Sequence, residues 1–139
     1  MTPDQLDLIS RSASVVSEWP RSFAESFYGQ LFAEAPATRE LFADDLEEQY
    51  GKVVDEISFL AGAADDLDTL VTHARDLGRR HARYGVVEGH YAPVETALLT
   101  ALAQTLGDRW TDDHAQAWRT LYRLIAEVML EGSSSSLFA

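Results

Sequence analysis

Two apolar stripes at helical spacing run through this chain, and each is broken at one position by a nitrogen-bearing side chain. Leu67, Leu70, Ala74 and Leu77 recur at three- and four-residue intervals, and the series ends on His81. Residues at those intervals share one helix face, so the imidazole points where aliphatic side chains point. The second stripe is Leu46, Gln49, Val53, Ile57, Leu60 and Ala64, and its odd member is Gln49. A third segment, Phe23 to Phe32, carries Tyr28 among apolar positions. One His, one Gln and one Tyr on three otherwise apolar faces describe a buried pocket holding an acceptor and donors. On its own a buried His is more often a core residue satisfied by a carbonyl, and a buried Tyr one whose hydroxyl reaches the surface.

The rest of the chain also reads as helix. Thr2-Pro-Asp-Gln5 offers an N-cap, Pro at the first helical position and Gln three after the cap. Pro20 opens a second helix, and Pro36 forces a bend and a short third one ending near Phe42. The Gln49 stripe predicts a helix from about Leu46 to Ala64, and Asp65-Asp66 starts the helix that carries His81. Gly85 and Gly89 mark a loop before a helix from about His90 to Leu106, buried through Val94, Ala97, Leu98, Ala101 and Leu102. Gly107 closes it, and Thr111-Asp-Asp caps a last helix buried through Leu121, Leu124, Ile125 and Val128. No stretch alternates with period two, so the expected class is all-α. One domain is expected over 1–132, with a flexible Ser-rich tail over 133–139.

Composition narrows the function classes. A net charge of −12 argues against nucleic acid, which requires a basic stripe. An acidic surface fits a basic protein partner or plain solubility. Only Lys52 is lysine, against ten arginines. Apolar runs are too short to span a membrane, and Met1-Thr-Pro-Asp-Gln5 lacks the basic and apolar regions of a signal peptide, so a cytoplasmic location is expected. There is no cysteine, which excludes disulfides, a thiolate ligand and covalent haem attachment through Cys-x-x-Cys-His.

The wording around the three intruders resembles the globin family, bacterial haemoglobins in particular. Phe27-Tyr-Gly-Gln-Leu-Phe-Ala-Glu-Ala-Pro36 and Arg39-Glu-Leu-Phe42 are similar to the second helix and following bend of that group. Leu77-Gly-Arg-Arg-His-Ala-Arg-Tyr-Gly-Val86 with Gly89-His-Tyr91 resembles its proximal segment, also found in neuroglobin-like globins. Gln49 and His81 stand 32 residues apart, the distal-to-proximal spacing of those families, and Ala117-Trp118 with Tyr122 resembles the last helix. The likeness spans residues 3 to 131.

The resemblance implies a globin fold around non-covalent haem b, with His81 as the iron ligand and a carbonyl near Leu77 accepting from its other nitrogen. It implies Tyr28 and Gln49 as distal donors to bound dioxygen, to which carbon monoxide is less sensitive. It implies haem contacts from Phe42, Gln49, Lys52, Val53, Leu77, Val86, Tyr91, Val94 and Leu98. Lys52 is expected to face a propionate or simply solvent. His73 shares a face with Asp66, Thr69, Asp76 and Arg80 and is expected to be solvated, and no chemical role is expected of His90 or His114.

Two departures from the flavohaemoglobin pattern stand out. Tyr91 matches the tyrosine of the proximal network, but the matching glutamate position is Ser133, and Glu131 faces elsewhere on an ideal helix. These 139 residues also carry no flavin- or nicotinamide-binding domain, so turnover would draw on an external reductase. Ala13 replaces a tryptophan common in globins, a packing difference. The expected function is reversible dioxygen binding, for storage, transport or sensing. The alternative is nitric oxide dioxygenation with a separate reductase, and both use the same pocket. No nucleic-acid or membrane partner is expected.

Overall fold

A computed structural model describes residues 1–137, with side chains through residue 133. Among the described residues all regular structure is helical: α1 (Pro3–Glu18), α2 (Pro20–Glu34), α3 (Glu47–Ala63), α4 (Leu67–Arg83), α5 (Tyr91–Leu106) and α6 (Asp112–Leu137). Short 3-10 turns at Pro36–Leu41, Glu88–His90 and Gly107–Arg109 join them.

Local chemistry sets the boundaries. Thr2 and Gln5 exchange side-chain to backbone bonds of 3.0 and 3.1 Å, a closed capping box at the start of α1. Pro20 and Pro36 stand at the first positions of the elements they open, where a missing N–H costs nothing. The Asp66 carboxylate caps α4 through the Thr69 amide. Gly85, at φ 97°, turns the chain out of α4 in a conformation that side chains resist. His90 and His114 accept backbone amides with Nδ1, from Val87 and Thr111, so both rings serve as caps. Helix α6 continues to Leu137, so the stretch read as a tail from residue 133 starts within it; residues 138 and 139 lie outside the described residues.

The core forms where the stripes meet. Trp118, Phe23, Ile9, Leu70, Leu102, Leu121 and Val16 are its largest fully buried side chains. Helix α2 lies along α5, and α4 lies along α6. The α4–α6 crossing is close enough for backbones to touch: a Cβ on Gly78 would overlap the Met129 carbonyl, and one on Gly132 would overlap the Arg75 carbonyl. Two glycines, one from each helix, thus let α4 lie flat on α6. One expected core position is not in the core. Leu67 is 61% exposed, because it is the first residue of α4 and precedes the point where that helix meets its neighbours.

Gly78→Ala should therefore destabilise the protein by about 1–3 kcal/mol, the usual cost of forcing atoms into a packed crossing. Gly29→Ala, where nothing lies within 4 Å, should instead stabilise by about 0.4–1 kcal/mol. Urea unfolding of the two variants gives the comparison, and equal effects would contradict the crossing.

Candidate functional site

Helices α3 and α4 are joined by only Ala64–Asp66, and they meet near the middle of each. There His73 on α4 sets Nε2 at 2.6 and 3.0 Å from the Glu56 carboxylate on α3, and its ring lies 4.1 Å from that of Phe59. His73 is half-buried, which corrects the solvated position expected for it. Its neighbours on α4 are polar, but α3 covers it, and a single-helix reading cannot see that.

Both helices carry candidate site residues beyond this contact. Gln49 and Val53 precede Glu56 at helical spacing on α3, and Leu77 and His81 follow His73 on α4. At 1.5 Å per residue, Gln49 and His81 stand roughly 10–12 Å along their helices from the Glu56–His73 contact.

His81 Nδ1 donates to the Leu77 carbonyl at 2.8 Å. A carbonyl can only accept, so the proton sits on Nδ1 and Nε2 keeps its lone pair. Burial pushes the imidazole below the usual histidine range; the Leu77 bond and the Glu56 charge oppose that shift, and Arg80 adds to it. The ring is thus a neutral base with one nitrogen fixed and the other available, which is the form that binds a metal.

On the α2 side Tyr28 is 3% exposed and held by aromatic rings. Phe27 and Phe42 meet it edge-on at 4.9 and 5.4 Å, Phe32 lies at 5.9 Å, and Tyr50 stacks on it at 5.8 Å. Burial pushes its phenol up to about 12, opposed by a hydrogen bond with Gln49 and assisted by Tyr50. Tyr28 therefore stays a neutral donor, with the Gln49 amide beside it.

The other singled-out residues are distributed around this frame. Leu77 and Leu98 are buried, Phe42, Val53, Val86, Tyr91 and Val94 are half-buried, and Lys52 is exposed, 3.9 Å from Glu48. The Tyr91 carbonyl accepts from the Tyr122 hydroxyl at 2.7 Å. Glu131 is exposed, and the Ser133 hydroxyl donates to the Leu130 carbonyl at 3.2 Å. Glu95, the carboxylate that faces α6 from α5, pairs with Arg119 and Arg123. Sequence reasoning missed Glu56 and Tyr50. The spacing Leu46, Tyr50, Val54, Ile57, Ala61 was the available signal for Tyr50, a second face partly shared with the first.

The globin family model matches residues 25–129, most of the chain and the whole of this site. The chain belongs to the globin family. As a globin it is 25% identical over 142 residues to a flavohemoprotein of Bordetella pertussis, with all of this chain matched to 35% of that protein. It thus spans about a third of the length of that relative. Among solved structures, a bacterial globin of Campylobacter jejuni superposes with a TM-score of 0.86 at 20% identity, covering 99% of this chain and all of that one. That likeness speaks for the fold. An engineered carbene transferase from Rhodothermus marinus, named a putative nitric oxide dioxygenase, superposes with a TM-score of 0.84 at 25% identity, covering 97% of this chain and 94% of that one.

The lowered His81 pKa has a stability consequence. The unfolded imidazole titrates near 6.5 and the folded one below it, so the unfolded chain binds more protons in that window. His81's contribution is complete above about pH 6.5 and is lost as pH falls through the folded value. Chemical denaturation of the ligand-free protein should therefore show a loss of stability below pH 6.5 that is smaller in His81→Leu. The same slope in both proteins would place the His81 ring in water.

Proposed function

We propose that this globin holds haem on His81 and binds dioxygen reversibly. The observation that carries the reading is the His81 Nδ1–Leu77 bond, which leaves Nε2 as an available ligand between helices whose other face offers Tyr28 and Gln49. Haem supplies a ferrous iron with an open position for a diatomic gas. The type that fits is haem b held without covalent attachment, since the chain has no cysteine.

The chain's own residues divide the work. His81 gives its Nε2 lone pair, and the Leu77 carbonyl fixes the tautomer and the plane of the ring. Phe42, Val53, Val86, Tyr91, Val94 and Leu98, buried or half-buried, would give the haem a largely apolar surround and limit the entry of water. Tyr28 and Gln49 aim neutral donors at the gas. Dioxygen polarises when it binds and carbon monoxide does so far less, so the donors favour dioxygen. Lys52, exposed on α3, would serve a haem propionate.

A second reading, dioxygenation of nitric oxide to nitrate with electrons from a separate reductase, is supported by the likeness to the Rhodothermus protein. Reduction of the oxidised protein by a host reductase separates the two. Reduction slower than nitric oxide supply would leave only gas binding.

Two outcomes test the principal reading. His81→Ala should lose most of its haem and the absorption bands of an imidazole-ligated ferrous form; retention of both would move the ligand elsewhere. Tyr28→Phe should release dioxygen on the order of tenfold faster, from one lost hydrogen bond of about 1 kcal/mol or somewhat more, with carbon monoxide changed less. Equal changes for both gases in stopped-flow measurements would point to access instead of hydrogen bonding.

A further inference from the structure

Gln49 sits in the first turn of α3, the part of a helix that frays most readily. No side chain caps that end at Leu46, where the Asp45 carboxylate accepts from the Glu47 amide at 3.0 Å. A donor that must share one gas molecule with Tyr28 on another helix needs a firmer hold.

Tyr50 supplies it. Its amide makes an early backbone bond of α3, to the Leu46 carbonyl at 2.9 Å, so its ring is anchored in the same turn as Gln49. One face of that ring stacks on Tyr28, with centroids 5.8 Å apart and planes 28° from parallel. The Arg21 guanidinium lies 5.6 Å from the Tyr50 centroid. Arg21 is itself held by two bonds of 2.7 and 2.8 Å to Glu47 and by Glu25 at 2.8 Å. These ion pairs are solvent-exposed and hold little alone, whereas the ring contact involves a buried partner.

We infer that Tyr50 is the positioning residue of the distal side, pinning the Gln49-bearing turn of α3 to Tyr28 with Arg21 set against its ring. The inference rests on the reading of Tyr28 and Gln49 as donors to a bound gas. Tyr50 does not touch the gas; it fixes the distance between the two groups that do.

The experiment compares Tyr50→Leu, Tyr50→Phe and Arg21→Gln with the unsubstituted protein. Two quantities are read: amide hydrogen exchange at residues 50–52, with and without haem, and dissociation of dioxygen and carbon monoxide from the reduced haem protein. Tyr50→Leu should speed amide exchange by about tenfold and dioxygen release by about threefold to tenfold, with carbon monoxide within about twofold. Tyr50→Phe, which keeps the ring stack, should restore both quantities, and Arg21→Gln should shift them less. Unchanged exchange in Tyr50→Leu, an equal gain for both gases, or no rescue by Tyr50→Phe would overturn the assignment. Failure of the unsubstituted protein to take up haem would sink the gas-binding reading separately, while amide exchange would still decide whether Tyr50 pins α3.

Discussion

The backbone contact between α4 and α6 is the constraint on which the rest of the molecule depends. Gly78 and Gly132 let the two helices approach to the point where any side chain would collide with a carbonyl. Helix α4 is thereby fixed to the longest helix of the protein, and His81 with it. Helix α3 meets α4 at the mid-helix Glu56–His73 contact and elsewhere leans on α1 and α2.

Burial prepares His81 on α4 and Tyr28 on α2 differently. Burial makes charge costly, so it lowers the pKa of the imidazole and raises that of the phenol. Both groups end neutral, His81 as an available lone pair and Tyr28 as an O–H donor. Complementary chemistry at the two residues thus follows from desolvation, with a single carbonyl bond and a single amide neighbour setting direction. The exposed acidic surface plays no part in this arrangement.

Much of the frame was legible in the sequence, and the reasons are local. Thr2, Pro20, Pro36 and Asp66 each fix an element boundary by chemistry within four residues, and each boundary lies where those residues put it. The His81–Leu77 bond was readable for the same reason, being one helical turn long. What escaped were contacts between helices. His73 has polar neighbours on its own helix, and only α3 shows that it is covered. Tyr50 follows a conspicuous Gln49 and lies on a face that shares Leu46 and Ile57 with the Gln49 stripe. The tight α4–α6 crossing was equally invisible, because a helical glycine gives no sign of whether a carbonyl stands where its side chain would be.

Everything proposed for this site depends on a bond from His81 Nε2 to iron. Resonance Raman spectroscopy of the reduced protein, with histidine labelled by nitrogen-15, reads that bond directly. An iron–imidazole stretch that shifts with the label and disappears in His81→Ala, while His73→Ala and His90→Ala retain it, is the predicted result. A stretch that survives in His81→Ala, or its absence from the unsubstituted protein, would contradict the account.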